Sequence, residues 1–164
     1  MRRLALILAL LASACSPATT RPYFPPVTGA AQAEVELEVR SATGALADVL
    51  RSDSLPVSRV EVRDGYIETA WFDASTKRPT SARRVGPQVV QVRAWVDPTR
   101  SGYSRLTVET IFRPVADASL SPRELDRQVP TDHPVGKRIE EIVTELAKLY
   151  AGIGAEEETA PKSP

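Results

Sequence analysis

Few side chains in this 164-residue chain combine a reactive type with a useful spacing. His133 is the only histidine, which excludes a two-histidine zinc site, a metalloprotease helix and a histidine proton relay. A hairpin around Asp64-Gly65 would set Glu61 opposite Glu68, a geometry that could mimic a glycosidase carboxylate pair. The plainer reading is one solvated strand face, offset by Arg59 or Arg63. Ser101, Ser104 and the other hydroxyls lack a recognisable base, so nucleophilic catalysis has no support. No G-x-S-x-G elbow, P-loop or G-x-G-x-x-G occurs. The chain therefore reads as non-enzymatic, with no cofactor and no metal ligands.

Two surface features could instead bind a partner. Lys77, Arg78, Arg83 and Arg84 form a basic loop with no acidic residue, suited to lipid phosphates or an acidic protein, although a solvated loop is the plainer reading. Tyr66, Phe72, Trp95 and Ile111 fall on the sheet face opposite a valine-rich one. They form either a partner patch or local filler stacked under Arg59, Arg93 and Arg113. Acidic and basic residues balance at 21 each, so no global charge points to nucleic acid.

The remaining reactive group is the lone cysteine. Arg2 and Arg3 precede an unbroken apolar run from Leu4 to Leu11, followed by Ala12-Ser13-Ala14-Cys15. This is the pattern of an export signal. At ~1.5 Å per residue, Leu4 to Ala14 covers only about half of a ~30 Å hydrocarbon core, so it does not read as a spanning helix. Ala12-x-Ala14 also fits ordinary secretory cleavage. Leu11 to Cys15 resembles the lipobox of bacterial lipoproteins, with alanine where that family more often has leucine. The resemblance implies a diacylglycerol on Cys15, which would also account for a single thiol in an oxidising compartment. Serine rather than aspartate at position 16 implies, by the same analogy, the periplasmic face of an outer membrane.

The elements that position these groups follow from composition and periodicity. Residues 1–14 read as signal peptide. Residues 15–33, with Pro17, Pro22, Pro25 and Pro26, read as a lipidated tether reaching up to about 50 Å if extended like polyproline; Tyr23 and Phe24 within it could dock onto the domain or a partner, although a plain linker is the simpler reading. Residues 34–152 read as one domain and residues 153–164 as a disordered acidic tail.

Glu34 to Val39 alternates as a strand, and Ser41 to Leu50 forms a short amphipathic helix capped by Ser41 or Thr43. The Asp64-Gly65 hairpin pairs Val62 with Ile67 and Val60 with Thr69, with Trp71 continuing on the core face. Val90, Val92, Ala94 and Val96 share a face, as do Leu106, Val108, Thr110 and Phe112. Ser121, Pro122 and Glu124 look like one capped helical turn within the long connection from Arg113 to His133. Pro134 to Tyr150 carries an apolar stripe from Val135 to Leu149, with Asp132 as its cap and His133 at its start. The expected fold is α+β: an antiparallel sheet of about five strands, with a short and a long helix on one face.

That order of elements, with the run Gly65-Tyr66-Ile67-Glu68-Thr69-Ala70-Trp71-Phe72, resembles the helix-grip domains of the BamC family of outer-membrane assembly lipoproteins. The resemblance implies a membrane-anchored module that binds an envelope protein, without catalysis. A second expectation is a carrier, with a small apolar ligand or lipid in a groove between the C-terminal helix and the sheet.

Overall fold

The computed structural model describes Thr19 and residues 21–151. The signal segment, Cys15 and the acidic tail lie outside the described residues. In chain order the elements are β1 (Ala31–Val35), α1 (Val39–Ser52), β2 (Val57–Glu61), β3 (Tyr66–Thr69), β4 (Phe72–Asp73), β5 (Val89–Arg100), β6 (Tyr103–Phe112), α2 (Pro122–Leu125), β7 (Arg127–Gln128) and α3 (Pro134–Leu149). The sheet is antiparallel, in the order β1-β6-β5-β3-β2, with β4 added to β5 and β7 to β6.

The centre of this sheet is the β5–β6 ladder. Val90 pairs with Phe112, Val92 with Thr110, Ala94 with Val108 and Val96 with Leu106. Side chains opposite one another in an antiparallel pair share a face, so these positions form one apolar surface. Both long helices cover it. Ala42, Leu46, Ala47 and Leu50 of α1, and Val135, Ile139, Ile142, Val143 and Leu146 of α3, join these strand residues in a single core. Burying a side chain of this size contributes ~1.5–3 kcal/mol. The architecture is thus α+β, with both long helices on one face.

Three local departures from the expected pattern have physical reasons. Between Tyr66 and Glu61 the chain uses residues 62–65 as a wider loop, so Val60 pairs with Ile67, Glu61 with Tyr66 and Arg59 with Glu68. The Glu61–Glu68 like-charge pair therefore does not form; Glu61 instead meets Arg59 at 3.2 Å. Gly65 carries the expected positive φ, 63°, but it also lies against β5. A Cβ there would sit 2.1 Å from the Val96 carbonyl oxygen.

The second departure is an extra residue between β3 and β4. Glu68 pairs with Arg93 and Phe72 with Val90, so four steps along one strand face three along the other. One inserted residue inverts the alternation. Phe72 consequently points into the main core and Trp71 to the opposite face, the reverse of the expected arrangement.

The third concerns the helix starts. α1 begins at Val39 rather than Ser41, without a side-chain cap, and Thr43 bonds back to the Val39 carbonyl at 2.6 Å. The residue preceding α3 is His133, not Asp132, and its Nε2 meets the Pro87 carbonyl at 2.9 Å. In α2 the expected capping box is present, formed by Ser121 and Glu124.

Candidate functional site: the outer sheet face and the basic loop

Opposite the helices, alternation sends Tyr66, Glu68, Gln91, Arg93, Trp95, Glu109 and Ile111 to the second face of the sheet. Left open, this face would be wet. Instead, a strap from Arg21 to Ala30 crosses it before turning into β1. Arg21 pairs with Asp97 at 2.8 Å, Phe24 meets the Trp95 ring edge-on at 6.0 Å between centroids, and the Val27 N–H donates to Glu109 at 2.7 Å. Gly29, with φ 90°, helps the chain reverse, and Ala31 then pairs with Val108. The prolines that suggest an unstructured tether suit this role, since a segment lying across strands has no ladder bonds to donate.

Beneath the strap lies a buried charge network. Arg93 donates to Glu109 at 3.2 Å and to Asp126 at 2.7 Å. Arg113 reaches the other Asp126 oxygen at 3.0 Å, and Arg123 binds Glu109 at 3.1 Å and also donates to the Pro25 carbonyl. Arg93 and Arg123 both face the Phe24 ring. Glu109 and Asp126 are almost wholly shielded, so each needs the guanidinium partners it has. Alongside, Glu68 accepts from the Tyr66 hydroxyl and from Gln91, both at 2.8 Å. Burial and the Glu68 charge push the Tyr66 hydroxyl well above its ordinary pKa. These acids and bases are committed to one another and to the strap, which makes the cluster a structural lock.

The candidate apolar patch is therefore interior. Tyr66, Trp95 and Ile111 are buried on the strap side, and Phe72 is buried in the main core. Arginine stacking occurs over one ring of the expected set, with Arg59 5.4 Å from the centre of the Tyr66 ring, whereas Arg113 lies 4.6 Å from the ring of Trp71, a residue expected in the core. Arg93 differs, lying over Phe24.

The basic loop behaves otherwise. Lys77 is spent internally: its ammonium binds the Asp53 carbonyl at 2.6 Å and the Asp53 carboxylate at 3.0 Å, and Arg138 of α3 shares that carboxylate at 2.9 Å. Burial would raise the Asp53 pKa, but the hydrogen bonds from Lys77 and Arg138 outweigh it and hold the carboxyl below its usual value. Arg78, Arg83 and Arg84 are exposed, and their side chains have no hydrogen-bond or ion-pair partner among the described residues.

Beside the Asp53 clamp is a recess of about 120 Å³ lined by Leu55, Ala74, Pro134, Val135 and Ile139. At the other end of the domain, a broad open cleft of about 610 Å³ lies between the start of α1 and the 98–102 turn, where Arg100 covers Tyr103. No described helix is long and apolar enough to cross a membrane. No protein-family model matches the chain, and neither does any curated protein.

Sequence reasoning favours a plain tether over docking of Tyr23 and Phe24, of which Phe24 does pack on the sheet, and it missed the Asp126 and Arg123 contributions, because these lie in segments without periodicity. One signal was available. Once Val92–Thr110 and Ala94–Val108 are paired, Arg93 must stand opposite Glu109 on the other face.

Proposed function

We propose that this chain is a lipid-anchored envelope protein, held through Cys15 on the periplasmic face of an outer membrane. Its domain acts as a non-enzymatic binding or assembly module, in the manner of the BamC-type lipoproteins that it resembles. The observation that carries this reading is the position of Cys15. The lone thiol ends an apolar run and stands six residues before Arg21, the first residue of the strap fixed to the sheet by an ion pair.

The strap shortens the tether. Six residue steps reach at most ~22 Å, not the ~50 Å available to a free segment from 16 to 32. Two or three acyl chains would anchor such a leash firmly. Glu109 and Asp126 are held in buried ion pairs, which commits these carboxylates to the fold. The recess at the start of α3, at 120 Å³, is below the ~300 Å³ that ligand pockets usually enclose, which weighs against a lipid carried between that helix and the sheet.

The test is fractionation of cells making the wild type or Cys15→Ser, with the envelope washed in high salt. Wild type should stay with the outer-membrane fraction and the variant should leave it. A variant that persists there after washing would mean a different attachment.

A further inference from the structure

We infer that the loop from Ala74 to Gln88 is a preorganised docking surface for an acidic protein segment, carried at the end of the domain opposite the membrane leash. The inference rests on the anchored reading above and adds the chemistry of the partner.

Charge is the first support. The loop holds Lys77, Arg78, Arg83 and Arg84 with no carboxylate. Lys77 is neutralised by Asp53, which leaves three exposed arginines uncommitted, with half-exposed Val85 beside them. A guanidinium presents a planar fork matched to carboxylates, and three on one short loop suit an extended acidic segment.

Order is the second. A solvated loop has no need of internal ties, yet this one is fastened along its length. The Ala74 N–H donates to the Gln88 carbonyl at 2.8 Å, Lys77 to Asp73 at 2.8 Å, Thr80 to Trp71 at 2.7 Å and Gly86 to Arg113 at 2.7 Å. The Asp73 carboxylate takes the N–H groups of Ser75 and Thr76 at 3.1 and 2.9 Å. Lys77 adopts φ 55°, a left-handed conformation held by its bonds to Asp53. The backbone is thus ordered before any partner arrives, and binding need only immobilise arginine side chains.

Position is the third, and it separates the two sources of negative charge that such a loop could meet. The loop joins β4 to β5 and ends at Val89, whereas the strap is pinned at Asp97, eight residues along β5. At ~3.3 Å per residue these points are ~26 Å apart along the strand. The chain approaches from the Asp97 end, so a domain standing on its short leash turns Arg78, Arg83 and Arg84 away from the headgroups of its own bilayer.

The experiment uses the full-length acylated protein in nanodiscs of phosphatidylcholine. Its probe is a fluorescein-labelled peptide of alternating glutamate and alanine, followed by anisotropy at low and moderate salt. Arg78→Ser/Arg83→Ser/Arg84→Ser, all at exposed positions, should weaken binding about tenfold or more and flatten its salt dependence. Arg40→Ser/Arg63→Ser, two exposed arginines that line the cleft beside the 98–102 turn at the leash end, should bind as wild type does. Equal binding by the triple variant would overturn the proposal.

A second arm places an environment-sensitive dye on a Val85→Cys variant in discs of phosphatidylglycerol that contain spin-labelled lipid. No quenching is expected, and strong quenching would assign the arginines to headgroups instead. Failure of the anchored reading would be separately visible: an unacylated chain would not enter the discs and would take dye at Cys15 as well.

Discussion

Arg93 on β5 lies 2.7 Å from Asp126, a residue of the irregular connection between β6 and α3, and both side chains are almost fully buried. The pair joins the sheet to the segment that carries Arg123, and through Arg123 and Glu109 to the strap. Removing one partner takes from a buried charge one of its hydrogen-bonded partners, while Arg113 stays on Asp126 and Arg123 on Glu109. Arg93→Met should therefore destabilise the fold by about 1–3 kcal/mol, and Arg93→Met combined with Asp126→Leu by less than the sum of the single effects. Urea denaturation of the three variants measures this coupling. Strict additivity would mean that the two side chains do not act as a unit.

Phe24 gives the strap its grip. Phe24→Ala removes the edge contact on Trp95 and the ring faced by Arg93 and Arg123. The expected loss is about 1–3 kcal/mol. Trp95 is buried, so the same change should red-shift the tryptophan emission and open it to iodide quenching. An unchanged spectrum would mean that the strap does not cover the indole.

Gly65 is fixed by close approach as well as by φ. Gly65→Ala would drive a Cβ to 2.1 Å from the Val96 carbonyl oxygen. Separation of β3 from β5 at that point should cost about 2–4 kcal/mol. Faster amide exchange at Val96, whose N–H donates to the Gly65 carbonyl at 2.8 Å, is the local readout.

Tyr66 predicts an alkaline limit. Burial, with the hydrogen bond to Glu68, raises its hydroxyl above the ordinary value of 10.0. A group whose folded pKa is raised contributes stability that is full below its unfolded pKa and is lost as pH rises past it. Stability should thus decline above pH ~10, and Tyr66→Phe should decline less steeply. That variant is also expected to lose ~1 kcal/mol at neutral pH through the missing donor to Glu68. Denaturation curves at several alkaline pH values separate the slopes, and identical slopes would exclude Tyr66 as the group responsible.

The parts legible in the sequence were those governed by a repeating period. The valine faces of β5 and β6, the apolar stripe of α3 as far as Leu146 (the expected Leu149 is exposed) and the capped turn at Ser121 follow from alternation, helical spacing and a local capping motif. What escaped depends on single residues that break a period. The extra residue before Phe72 exchanges Trp71 and Phe72 between faces, and the wider turn after Glu61 shifts the hairpin register. Pro25 and Pro26 read as tether because proline signals the absence of ladder bonds, which is equally true of a strap packed across strands. Arg78, Arg83 and Arg84 could be named from composition alone. Their remoteness from the leash needed the direction of β5.

The intact mass of the mature chain purified from envelopes tests the anchoring claim most directly. The expected species begins at Cys15 and is heavier than the bare polypeptide by a diacylglyceryl group, with or without an added amide-linked acyl chain. An unmodified chain beginning at Cys15, or one still carrying residues 1–14, would contradict it.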